Sequence, residues 1–240
     1  MKKFGRYAVV ISGLLGLAAS SSALSAAQDL RTTKEMEELV ARAATPAEHT
    51  ALSTHFLDMA ARYEADADAH VAMAADYRRN AVNANRRFGD PGVHCDRIAQ
   101  RAREAATTAR ELATLHERLA TGGPASGAKA PTKGPVLSMP KVRFPDLLTP
   151  KQAQELVASA KTPADHTTLR KHFVAEAARY KADADRHAAM AAGYRGSNRR
   201  GGLEAAAVHC DRLVERVRDA ATAARELATY HEGLAAEAAK

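Results

Sequence analysis

The sequence holds 240 residues with a formal net charge of +7; 46% of it is apolar, yet only 5% is aromatic and there is no Trp. Much of the apolar content is alanine, which suits closely packed helices better than a β-sandwich, because strands favour β-branched and aromatic residues. Acidic and basic residues alternate along the chain, giving a solvated surface rather than a nucleic-acid footprint.

In chain order, residues 1–27 read as a signal peptide. Met1 to Arg6 is a short cationic start, and Tyr7 to Ala19 is an apolar run too short to span a bilayer comfortably. Ser25-Ala26-Ala27 then offers small residues for cleavage before Gln28. Loss of Lys2, Lys3 and Arg6 lowers the net charge from +7 to +4. Nothing later in the sequence is apolar enough to cross a membrane, so the expectation is a periplasmic or secreted protein that is not integral to the membrane.

Residues 28–120 form a first repeat. Thr32 with Glu35 announces a short leading helix over Thr32 to Ala44, and Thr45-Pro46 with Glu48 combines an N-cap, an N1 proline and a capping-box acid. The helical pattern continues to about Asn80. Phe88-Gly89-Asp90-Pro91-Gly92 reads as a loop, and a second long helix follows from about Val93 to Ala120. Residues 121–148, with five prolines, read as a semi-rigid linker.

Residues 149–240 repeat this plan. Thr149-Pro150 with Gln152 opens a short helix ending near Lys161, Thr162-Pro163 with Asp165 opens a long helix to about Arg195, and a last helix runs from Leu203 to Ala238. The copies align at an offset of 117 residues: Thr45-Pro46 with Thr162-Pro163, His55-Phe56 with His172-Phe173, Arg62-Tyr63 with Arg179-Tyr180, and His70 with His187. After a loop two residues shorter in the second copy, His94-Cys95 matches His209-Cys210 and His116 matches His231. All ten histidines and both cysteines fall into equivalent pairs. The expected fold is all-α: two tandem long helical hairpins packed as a four-helix bundle, each preceded by a short helix.

Steps of three and four along the first long helices give Leu52, Phe56, Met59, Tyr63, Asp66, His70, Met73 and Tyr77, and in copy two Leu169, Phe173, Glu176, Tyr180, Asp183, His187, Met190 and Tyr194. The seam is apolar except for its acids and histidines, and a buried carboxylate or imidazole without a partner costs several kcal/mol. Within one hairpin, His70 faces small alanines near Ala105 and Ala109, and His116 lies about 12 Å further along at helical rise. One copy alone therefore cannot gather its histidines. A site must combine equivalents across the pseudo-twofold axis, and equal heights for the copies would unite Asp66, His70, Asp183 and His187, with Tyr63, Tyr180, His116 and His231 as further candidates.

Two imidazoles and two carboxylates suit a transition metal such as Zn, Cu or Fe. The same residues also suit a hydrogen-bonded set that fixes helix register. Cys95 and Cys210, flanked by His94 and His209, invite a disulfide in an oxidising compartment if the second long helices run parallel; a Cys₂His₂ metal site and two free thiols are the alternatives. His49, His55, His166 and His172 lie in or near first helical turns and are expected to be partly exposed surface residues rather than ligands. No Cys-x-x-Cys-His signal for covalent haem, nucleophile triad, phosphate loop or Rossmann glycine pattern is present. The sequence thus points to a non-catalytic envelope protein that binds or buffers a transition metal, with a structural or protein-interaction bundle as its rival.

Overall fold

The computed structural model describes residues 39–40, 43–80, 89–122, 144–196 and 203–239. The signal peptide, most of the leading helix of the first copy and most of the linker lie outside the described residues. Among the described residues five helices have these bounds: α1 (Pro46–Asn80), α2 (Pro91–Gly122), α3 (Pro150–Ser159), α4 (Pro163–Gly196) and α5 (Leu203–Glu237). The fold is all-α, two helical hairpins packed as a bundle, with α1 against α2 and α4 against α5. No helix among the described residues is long and apolar enough to cross a membrane.

The helix starts follow from local chemistry. Thr149 and Gln152 form a reciprocal capping box at α3, with Pro150 behind the cap. Thr45 caps the Glu48 N–H at 3.3 Å while the Glu48 carboxylate accepts from the Thr45 N–H at 3.0 Å, and Thr162 with Asp165 repeats this at α4. At α2, Asp90 accepts the Gly92 N–H at 2.8 Å, and Gly89 before it takes a left-handed φ of 88°, which glycine reaches without a Cβ penalty.

The hairpins dock through two contrasting contacts. α2 and α5 pack closely; their buried faces are rich in alanine (Ala102, Ala105, Ala106, Ala220, Ala221 and Ala224), and small side chains let helix backbones approach. α1 and α4 stand further apart, and long polar side chains fill the space between them. The short helix α3 leads the second hairpin yet packs on α1 of the first, burying Ala153 and Val157.

The pairings give the direction. Arg101 Nε lies 3.1 Å from Asp219, and Arg216 Nε lies 3.5 Å from Glu104, so residue numbers rise on α2 as they fall on α5. α1 and α4 run antiparallel in the same way, with Arg62 at Asp183 and Arg179 at Asp66. The pseudo-twofold axis is therefore perpendicular to the helices. Equivalent residues do not share a height, and this corrects the arrangement on which the expected metal and disulfide sites rested.

Candidate functional site

The polar groups of the seam form three sets, each joining both hairpins. At the centre, Arg62 Nη2 donates to Asp183 Oδ2 at 2.7 Å, and Arg179 Nη2 donates to Asp66 Oδ2 at 2.8 Å. The hydroxyls of Tyr63 and Tyr180 donate to the same oxygens at 3.4 Å, and Arg186 adds a bond to the other oxygen of Asp183 at 3.1 Å. Each of Arg62 and Arg179 also lies over the ring of the tyrosine that follows it. Burial alone would raise the Asp183 pKa, but Arg62, Arg186 and Arg179 outweigh it and hold the carboxyl below its usual range. Both carboxylates expected to bind metal are thus committed to guanidinium groups.

Flanking the centre, His70 and His187 meet unlike partners. His70 Nε2 lies 3.1 Å from Glu176 Oε1, whereas His187 Nε2 lies 3.1 Å from the Met59 sulfur. Glu176 and Met59 are equivalent positions, so one imidazole meets a carboxylate and the other a neutral thioether. Against the pull of burial, His70, His172 and Arg179 lower the Glu176 pKa to about 2. Burial, reinforced by Arg186, His55 and Arg62 against Asp183, lowers the His187 pKa to about 3. Since His70 faces position 176 of α4 while His187 lies eleven residues further along it, the two rings are about 16 Å apart at helical rise. Asp66, His70, Asp183 and His187 do not converge, and among the described residues no three His, Cys, Asp or Glu side chains are placed to hold a metal.

At the two ends of the bundle lie a pair of matching relays. His49 Nδ1 meets His116 Nδ1 at 3.1 Å, and His116 Nε2 meets the Tyr194 hydroxyl at 2.6 Å. At the opposite end His166, His231 and Tyr77 repeat both distances. The paired rings have centroids 5.3 Å apart, longer than the N···N distance by about two ring radii, so the nitrogens approach head-on. A head-on approach shares a proton; two ligands of one metal would instead aim at a point off the line. Phe56 and Phe173 stack on the inner imidazoles with interplanar angles of 13° and 10°. Burial, reinforced by His49, takes the His116 pKa down to about 4, and burial with His166 and His172 takes His231 to about 3.

Burial also raises Tyr77 and Tyr194 well above the usual phenol range. The phenols therefore stay protonated and donate to Nε2, which places the remaining imidazole proton of His116 and His231 on Nδ1, toward His49 and His166.

Among the outer histidines, His55 and His166 are partly exposed as expected, whereas His49 and His172 are buried. His172 Nδ1 accepts from the Leu148 N–H at 3.1 Å, tying the chain before α3 to α4.

The disulfide expectation is overturned as well. Cys95 and Cys210 are both free and buried. On antiparallel α2 and α5, Cys95 lies near the level of Arg225, about 22 Å along the axis from Cys210 at helical rise, far beyond the Cα separation of about 7 Å that a bridge permits. Burial raises both thiols, so neither is held as a reactive thiolate. His94 and His209 lie against Glu226 and Glu111 of the facing helices, at 2.8 and 3.1 Å, rather than completing a cysteine–histidine metal site.

Arg62, Arg179, Glu176 and Met59 are the seam residues whose roles sequence reasoning missed. The repeated Arg-Tyr dipeptide was the available signal for the first two.

Neither a known protein family, a curated protein nor a solved structure matches this chain.

Proposed function

We propose that this is an exported, non-catalytic bundle of the cell envelope, built to present charged outer helix faces to another envelope protein. The observation that carries this reading is the crossed pairing of Arg62 with Asp183 and Arg179 with Asp66. It engages the acids of the seam in holding two hairpins together. A buried ion pair is weak evidence for stability but a strong device for register, because any sliding leaves charges unpaired. Export rests on the N-terminal sequence pattern, and N-terminal sequencing of the protein from its native compartment tests it, with Gln28 expected first.

A second reading, a metal binder, rests on one contact. A thioether and a neutral imidazole, as in Met59 and His187, suit Cu(I) better than Zn or Fe. Elemental analysis of natively purified protein separates the two readings. Substoichiometric metal with an unchanged melting temperature after chelation supports the structural bundle. One tightly held metal ion per chain, lost in Met59→Leu, supports metal binding instead.

A further inference from the structure

We propose that the two His–His–Tyr relays form an acid-released latch between the hairpins. The inference goes beyond the structural reading, since a bundle can hold its register without responding to pH. Its basis is the geometry of both ends of the molecule. Each inner imidazole belongs to one hairpin and its phenol partner to the other: His116 with Tyr194, and His231 with Tyr77. The device is built twice, with the same atoms at the same distances, 3.1 and 2.6 Å.

A head-on imidazole pair accepts one added proton without breaking, because the imidazolium of one ring donates to the bare nitrogen of the other. A second proton leaves two N–H groups and two positive charges facing one another, and the pair must separate. Protonation of the inner ring at Nε2 also opposes the hydroxyl proton of Tyr194 or Tyr77, so the phenol must turn away from the ring.

The neighbours of the rings are mostly uncharged, and one buried carboxylate, Glu176, lies near the His231 end. His116 faces His49 and Phe56 from α1 and Tyr194 from α4, with Cys210 of α5 near Tyr194. His231 faces His166, His172 and Phe173 from α4, Tyr77 from α1 and Tyr230 on its own helix, with Cys95 of α2 near Tyr77 and Glu176 of α4 acting on both Tyr77 and His172. Among the described residues no carboxylate acts on either inner ring. Asp165 favours the charged form of the outer ring, His166, at one end.

Two other links between the hairpins rest on carboxylates that stay ionised in acid, Asp183 with Arg62 and Glu176 with His70, while His94 with Glu226 and His209 with Glu111 are imidazole links between α2 and α5 that the relays do not include. Asp183 ionises below the usual carboxylate range, and Glu176 does so at about 2. The Arg62–Asp183 pair thus outlasts the relays as pH falls. Acid releases the ends first and the centre later, while the apolar contacts inside each hairpin, such as those of Leu52, Phe56, Ile98 and Leu112, hold its helices together once the His49–His116 and His166–His231 pairs have charged.

The test uses the full mature chain, followed by small-angle X-ray scattering and far-ultraviolet circular dichroism from pH 8 to pH 4. The expected result is an increase in radius of gyration below about pH 6, where a free imidazole begins to charge, with helix content retained. The variant His116→Phe/His231→Phe, which removes both inner titrations while keeping a ring against Phe56 and Phe173, should move that midpoint down by about one pH unit or more. A wild type that stays compact to pH 4, or a variant with an unchanged midpoint, overturns the latch. If the variant does not fold, histidine resonances of the wild type decide. Inner rings that stay neutral until the chain expands support the proposal, and inner rings that titrate near their ordinary pKa in the compact protein refute it.

Discussion

Arg62 of the first hairpin donates to Asp183 of the second across 2.7 Å, and the carboxylate is fully buried. Removing Asp183 would leave Arg62 and Arg186 in the seam without their acid. Breaking a buried pair from one side typically costs about 3–5 kcal/mol, whereas replacing both partners by apolar groups of similar volume is often neutral. Asp183→Ala should therefore fall in that range by chemical denaturation. Arg62→Met/Asp183→Leu should recover part of the loss, with the remainder reflecting Arg186. A single mutant within about 1 kcal/mol of wild type would contradict the pairing.

The elements and their ends were legible because local chemistry decides them: an N-cap hydroxyl, a proline at N1 and an acid or amide three residues on at Thr45, Thr149 and Thr162. The direction in which the copies dock was less plain, since a duplication is compatible with a pseudo-twofold axis along or across the helices. The deciding signal was nevertheless in the sequence. Parallel docking at equal heights sets Arg62 against Arg179 and Asp66 against Asp183, like against like. Antiparallel docking crosses them, and crossing is what the structure shows. The histidine set failed with the same assumption: once the axis lies across the helices, His70 and His187 face Glu176 and Met59 instead of each other.

The thiols offer a direct check on the antiparallel arrangement. Cys95 and Cys210 are buried, and burial raises both pKa values. Thiol titration of air-exposed protein should find two reactive groups per chain after denaturation and almost none before it. A bridged pair in the denatured chain would mean that the second helices lie parallel, and would overturn the docking described above.

The 2.6 Å bond between Tyr194 and His116 predicts unequal effects from three tyrosine substitutions. Tyr194→Phe keeps the ring but leaves His116 Nε2 buried without its donor, and an unsatisfied buried group costs about 1–3 kcal/mol. Tyr77→Phe should do the same to His231. Tyr230→Phe, which keeps the edge-on contact with His231, should stay within about 0.5 kcal/mol of wild type. Equal losses for all three in thermal unfolding would deny the relays a special role.

Position 59 allows the two halves of the seam to be made alike. His187 lies between the Met59 sulfur and a charge cluster of Arg62, Asp183 and Arg186, two cations to one anion, and its pKa is about 3. Its equivalent His70 has Glu176 in place of the methionine. Met59→Glu would supply the missing anion where the wild type has a neutral thioether. The imidazolium of His187 would then gain a carboxylate partner within hydrogen-bonding reach, and a charge at such distance shifts a pKa by about 1–3 units. The resonance of His187 should accordingly titrate above pH 4 in the variant. Stability should follow with a definite sign. Because His187 in the wild type has its pKa depressed, its contribution is complete above the unfolded value and is lost as pH falls toward about 3; raising the folded value narrows that loss. The variant should therefore lose less stability than wild type between pH 6.5 and pH 4, measured by denaturant unfolding at each pH. A His187 resonance unmoved by the substitution would show that the introduced carboxylate turns to the arginines and leaves the imidazole as it was.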